Sequence, residues 1–166
     1  MIEILEAASP KELAEVRRLI RAFMEWSKQL YPEAVDLVDQ YNAAVETELA
    51  GLPGEYGPPA GRLLLAYDET EVAGMVALRK IDASTCEMKR LYVHPQFHGR
   101  GIGRALASTL IEQSRLLGYS SMRLDTGFRQ TAAIGLYRRL GFQEIDPYHD
   151  VPEEMRAGMV FMELRL

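Results

Sequence analysis

A chain of 166 residues and 18.7 kDa has room for one domain with a sizeable core and is too short for two ordinary ones. A formal net charge of -5 and a sequence pI near 5.3 leave no overall basic surface to neutralise a phosphate backbone, so no nucleic-acid partner is expected, although a local basic turn can still receive an anionic cofactor. Cys86 is the one cysteine, which excludes an intrachain disulfide, and no apolar run approaches the ~18 residues of a membrane span, so a cytoplasmic setting without membrane insertion is expected.

Ile2 to Leu5 is a short apolar stretch, followed by Ser9-Pro10-Lys11-Glu12. That quartet reads as an N-cap, a proline at the first helical position and the glutamate of a capping box. Leu13, Val16, Ile20 and Phe23 then recur at helical spacing, which predicts a helix to about Leu30. Val38, Tyr41, Val45 and Leu49 predict a second amphipathic helix ended by Gly51, and three prolines and three glycines between Leu52 and Gly61 predict a loop. Leu63 to Tyr67, a polar turn at Asp68-Glu69-Thr70, and Val72 to Ile81 form the pattern of an antiparallel hairpin.

Cys86 to Val93 adds a third strand, which His94-Pro95 ends because proline cannot donate to a central ladder. Ile102, Ala105, Leu106, Leu110 and Leu117 line one face of a long helix stopped by Gly118, and Met122 and Leu124 alternate with charged residues in a further strand. Ala132 to Leu140 predicts a shorter helix stopped by Gly141, and Phe142 to Ile145 with Met159 to Leu166 a closing hairpin. The fold class is α/β, as an α+β mixed sheet: antiparallel N-terminal strands, one strand-helix-strand crossover, and helices on both faces.

The segment Gly99-Arg100-Gly101-Ile102-Gly103-Arg104 places three alternate glycines between a strand and a helix. Glycines let backbone N–H groups approach a ligand, and the helix N-terminus adds partial positive charge, so the turn suits a pyrophosphate, with Arg100 and Arg104 adding charge. A sharp turn with no ligand remains the alternative. The dinucleotide fingerprint is a poor match, because it wants a parallel unit from the first strand and here the preceding strands form a meander.

The whole arrangement resembles the GNAT superfamily of acyl-CoA-dependent N-acyltransferases, whose hallmark is an apolar strand ending in a Val-x-Pro-like step, then a Q/R-x-x-G-x-G/A loop and a helix. His98-Gly99-Arg100-Gly101-Ile102-Gly103 is similar to that loop, with His98 where glutamine or arginine is usual. Gln130-Thr131-Ala132-Ala133-Ile134-Gly135-Leu136-Tyr137-Arg138-Arg139-Leu140-Gly141-Phe142 resembles the second signature, N-x-x-A-x-x-L-Y-x-x-x-G-F, with Gln130 replacing asparagine. The resemblance implies one N-acetyltransferase domain over residues 1–166, with acceptor-side helices about 9–51 and an acetyl-CoA-binding core about 86–142. It implies that backbone groups of Leu91, Tyr92 and Val93 pair with the pantetheine arm and that the turn His98 to Arg104 holds the pyrophosphate, with Gln130 and Ala133 on the cofactor side.

Transfer of an acetyl group to an amine needs a neutral nucleophile, oxyanion stabilisation and a proton for the departing thiolate. The resemblance implies Glu87 as the base acting through water, on one strand face with Lys89, Leu91 and Val93; an ordinary ion pair is the alternative. It implies Tyr137 as the acid, with core packing as the alternative, and a strand N–H near Leu91 or Tyr92 for the oxyanion. His94, His98 and His149 lack a companion ligand set, so no metal is expected, and Cys86 has no activator, so transfer is expected to be direct. Tyr56, Arg62 and Tyr148 are the candidate acceptor contacts. The expected partners are acetyl-CoA and an amine, of a small molecule in the first instance, with a protein or peptide acceptor or a non-catalytic acyl-CoA sensor as alternatives. A homodimer through Met159 to Leu164 is compatible with the sequence.

Overall fold

The computed structural model describes all 166 residues. The strands are β1 (Ile2–Glu6), β2 (Arg62–Asp68), β3 (Glu71–Lys80), β4 (Thr85–Val93), β5 (Ser121–Gly127), β6 (Gln143–Ile145) and β7 (Met159–Arg165). They form one sheet in the order β1-β2-β3-β4-β5-β7-β6. Every neighbouring pair is antiparallel except β4 with β5. The helices are α1 (Pro10–Leu30), α2 (Val35–Tyr41), α3 (Val45–Ala50), α4 (Ile102–Leu116), α5 (Thr131–Arg139) and α6 (Glu153–Arg156). No helix is long and apolar enough to cross a membrane.

The central strands are apolar on both faces because both faces are covered. Leu63, Leu65, Met75 and Ala77 meet Val16, Leu19 and Ile20 of α1, while Leu64, Ala66, Val76 and Leu78 meet Leu106, Ala107 and Leu110 of α4. The mixed sheet with helices on both faces is as expected. The apolar segment Met159 to Leu164 lies within the sheet, between β5 and β6.

The capping box closes α1 as its sequence predicts: Ser9 Oγ accepts from Glu12 N–H at 3.3 Å, and the Glu12 carboxylate accepts from Ser9 N–H at 2.8 Å. The second predicted helix is instead two short ones, α2 and α3, separated by Asn42–Ala44. Val45 and Leu49 go into the core with α1, whereas Tyr41 is turned toward β5, and one straight helix could not serve both surfaces.

Two departures from a regular sheet create the site. In the β3–β4 ladder Ala77 pairs with Lys89 and Met75 with Tyr92, so Arg90 and Leu91 together oppose Val76 in a β-bulge. Arg90 sits at φ 60°, a conformation that costs a non-glycine residue about 1 kcal/mol or more. It is held there by Glu48 of α3, whose Oε2 accepts from Arg90 Nη2 at 2.5 Å. The second departure is between β4 and β5, which pair only at Thr85–Ser121, Cys86–Met122 and Glu87–Arg123. Beyond Glu87 the two strands separate.

Candidate active site

The separated strands line one wall of a cavity of about 330 Å³. Glu87 to Leu91 come from β4, Asp125 to Gly127 from β5, Tyr137 from α5, and Phe23, Leu37 and Tyr41 from α1 and α2. Strands that diverge inside a sheet leave backbone N–H and C=O groups without ladder partners, so this gap is an internal strand edge to which an extended, amide-bearing ligand can add.

The glycine turn lies at the end of β4. Gly99 and Gly101 have φ of 79° and 77°, the left-handed region that glycine enters without penalty. The first helical bond of α4 runs from Ala105 N–H to Gly101 O at 3.0 Å. The amides of Ile102, Gly103 and Arg104 therefore face out of the helix end, where an anion binds. Arg104 is exposed there.

The expected cofactor-side residues divide by side chain. Ile102 and Tyr92 are buried in the two cores, Tyr92 with its ring 5.4 Å from that of Phe23, so each can offer only backbone. His98 is exposed and its Nε2–H donates back to Val93 O at 2.8 Å, fixing the turn to the strand. Arg100 is paired with Asp68. Gln130 occupies the N-cap position of α5 without a side-chain capping bond and lines the cavity, and Ala133 packs beside the α4-side core.

The bulge corrects the predicted strand face. Glu87 and Lys89 point toward the α1 side, but Leu91 and Val93, displaced by the extra residue, point to the α4 side. Glu87 is 2% exposed; its Oε1 accepts from Arg79 Nε at 2.6 Å and its Oε2 from the Tyr148 hydroxyl at 2.5 Å. Beside it stands Asp125, whose Oδ1 accepts from Tyr41 at 2.8 Å and whose Oδ2 lies 2.5 Å from His149 Nε2. Burial alone would raise the Asp125 carboxyl, but hydrogen bonds from His149 and Tyr41 overcome it and hold it below its ordinary range. The hydrogen bond with Asp125 in turn raises His149, and both ring nitrogens face acceptors, the second being Asp150 O at 3.1 Å.

The ligand atoms of Glu87, Asp125 and His149 all lie within 4.8 Å of one another, close enough to share a divalent cation. A cation there would have to compete with Arg79, Tyr148 and Tyr41 for the same oxygens. Tyr137 is buried with its ring 5.7 Å from that of Phe142, and burial raises its hydroxyl pKa well above the ordinary 10, so the group holds its proton. The Thr126 hydroxyl, also buried in the cavity wall, has no protein partner. Cys86 is buried and its thiol is pushed up to about 11 by desolvation, which leaves it protonated and inert as a nucleophile.

Two expected acceptor contacts are elsewhere. Tyr56 packs into the α1-side core and donates to Glu48, and Arg62 donates to the loop carbonyls of Pro59 and Gly61 at 3.1 and 2.6 Å. Tyr56 ties the Gly51–Gly61 loop to α3 on the α1 side of the sheet, and neither it nor Arg62 lines the cavity. Tyr148 reaches the site through Glu87. Asp125, His149, Lys89 and Tyr41 had no local sequence signal, since they meet only when β5, the 146–150 loop and α2 converge on β4.

A family model for acetyltransferases of the GNAT family matches residues 20–142. An uncharacterized N-acetyltransferase of Schizosaccharomyces pombe is 35% identical over 99% of this chain and 95% of its own. The fold is shared with an acetyltransferase of Streptococcus agalactiae at a TM-score of 0.74 and 22% identity, covering 99% of this chain and 98% of that one. It is shared also with an N-acetyltransferase of Thermoplasma acidophilum in complex with coenzyme A, at a TM-score of 0.73 and 20% identity, over 100% and 99% of the two chains. With the divergent strands and the glycine turn in the matched region, the chain belongs to the GNAT family of acetyltransferases.

Proposed function

We propose that the chain, acting as one domain, transfers an acetyl group from acetyl-CoA directly to the primary amine of a small molecule. The observation that carries this reading is the gap between β4 and β5, which joins an open strand edge, the glycine turn and a cavity lined by Tyr137, Glu87 and Asp125. Acetyl-CoA supplies the activated acyl group and a thiolate leaving group. Backbone groups of Leu91 and Val93 receive the amide-bearing arm, and the amides from Gly99 to Arg104 hold the pyrophosphate. The bulge leaves a strand N–H near Leu91 for the oxyanion. Glu87 and Asp125 draw the proton of the incoming ammonium through water, and Tyr137 gives its proton to the sulfur.

A small acceptor is favoured because the cavity is roofed. Arg129 pairs with Glu33 and donates to Leu30 O at 2.7 Å, and the Tyr31 hydroxyl accepts from Arg129 N–H at 3.1 Å. These contacts tie the α1–α2 connection across to the β5–α5 loop and interrupt the path a peptide would follow. The test is coenzyme release from acetyl-CoA with a panel of small amines and a panel of peptides, each product weighed by mass spectrometry. Acetylated small amines are the expected products. Acetylation of peptides alone would overturn the small-acceptor reading, and binding of acetyl-CoA without turnover of either panel would reduce the chain to a sensor.

A further inference from the structure

Three cations line the cavity, and two are already matched. Arg90 is paired with Glu48, and Arg129 with Glu33. Lys89 is different: its side chain is only 22% exposed, and its nearest carboxylate oxygen, Glu87 Oε1, is 4.0 Å away, beyond hydrogen-bonding reach. Glu87 cannot move to meet it without giving up Arg79 or Tyr148. A part-buried ammonium facing the cavity with only a 4.0 Å ion pair and no protein hydrogen-bond acceptor is under-satisfied, and desolvation lowers its pKa against the opposing pull of Glu87. Such a group is stabilised when a ligand brings the missing anion.

The surroundings describe the rest of that ligand. Lys89 and Glu87 are two residues apart on one strand face with their charged groups 4.0 Å apart, and Asp125 stands beside Glu87. A pair of carboxylates thus stands next to an ammonium, opposite charges close enough together to be met by a molecule that bears its amine and its carboxylate on one carbon. The facing wall is apolar, built by Phe23 and Met24 of α1 and Leu37 and Val38 of α2. We infer that the acceptor is an α-amino acid with an apolar side chain, its carboxylate held by Lys89, its amine directed to Glu87 and Asp125, and its side chain lying against α1 and α2. This rests on the cavity being the acceptor site of the reaction proposed above. The ammonium first gives one proton to the carboxylates; the neutral amine nitrogen then forms the new amide bond as the thioester carbon–sulfur bond breaks, the thiolate takes the Tyr137 proton and leaves as coenzyme A, and the second nitrogen proton restores Tyr137.

The experiment compares apolar L-amino acids (leucine, methionine, phenylalanine) with their amides and with the amines that lack the carboxyl group, following coenzyme release by wild type, Lys89→Met and Lys89→Arg. Wild type should prefer the acids over the amides by roughly 10- to 100-fold in kcat/KM, the effect of one hydrogen bond between charged partners. In Lys89→Met that ratio should fall toward one, through KM for the acid, and Lys89→Arg should restore most of it. KM for acetyl-CoA, measured alongside, reports that the variant is folded. Amides or plain amines used as well as acids would overturn the inference and leave the acetyltransferase standing. So would a Lys89→Met variant that keeps its preference, or one that loses turnover of acids and amides alike through kcat with a displaced pH profile, the mark of a base. Failure of the underlying reading looks different: acetyl-CoA is then neither bound nor consumed with any acceptor.

Discussion

Tyr137 and His149 carry opposite electrostatic signatures. Burial raises the Tyr137 hydroxyl, so it holds its proton at neutral pH, as the acid of the proposed reaction must. Tyr137→Phe keeps the ring against Phe142 and removes only that proton; kcat should fall by about 10²- to 10⁴-fold, the usual share of an acid–base group, with acetyl-CoA affinity retained in a binding titration. His149 is raised by its hydrogen bond with Asp125. A group that binds its proton more tightly when folded stabilises the fold fully below its unfolded pKa, near 6.5, and loses that contribution as pH rises through the raised value. An NMR titration of the His149 ring should give a midpoint above 6.5, and His149→Gln should flatten the change in thermal midpoint over that window. Tyr137 and Glu87 could be singled out in the sequence because each sits in a contiguous pattern, and both line the cavity. Asp125 and His149 were not, since they are 24 positions apart and meet only through the 146–150 loop.

At the scale of elements, the chain announces its regular pieces and conceals its irregular ones. The helix Pro10–Leu30 follows from Ser9, Pro10 and Glu12, which act within one turn. The β4 bulge does not, because the left-handed Arg90 is held by Glu48, 42 residues away, and its consequence is to send Leu91 and Val93 to the face opposite Glu87. The gap between β4 and β5 is likewise invisible in strands that look alike over their whole length. The roof of the cavity depends on Gly127, where an added Cβ would collide with the Tyr31 hydroxyl. Gly127→Ala should therefore displace Tyr31 from Arg129, costing about 1 kcal/mol, or a drop of roughly 2–4 °C in thermal midpoint. Faster proteolysis of the 127–130 loop would accompany it; an unchanged midpoint and cleavage rate would show that the roof does not depend on this contact.

As a whole molecule the chain is acidic, with a net charge of -5, yet its proposed co-substrate is a polyanion. The fold resolves the conflict locally, by aiming the end of α4 and its exposed amides at one turn, where the dipole acts within a single helical turn. The same locality allowed that turn to be read from sequence, whereas the cavity, assembled from α1, α2, β4, β5 and α5, was not. The decisive measurement is a calorimetric titration of the protein with acetyl-CoA, wild type against Gly103→Glu. Gly103 is the right position because an added Cβ there meets only ordinary contacts, 3.7 Å from Val93 Cγ2 and 3.8 Å from Leu136 Cδ2, whereas Gly99 and Gly101 hold positive φ and would be strained by any side chain. The account predicts saturable one-to-one binding by wild type and a loss of about tenfold or more in the variant, with its thermal midpoint retained. No binding by wild type, or equal binding by a folded Gly103→Glu, would contradict it.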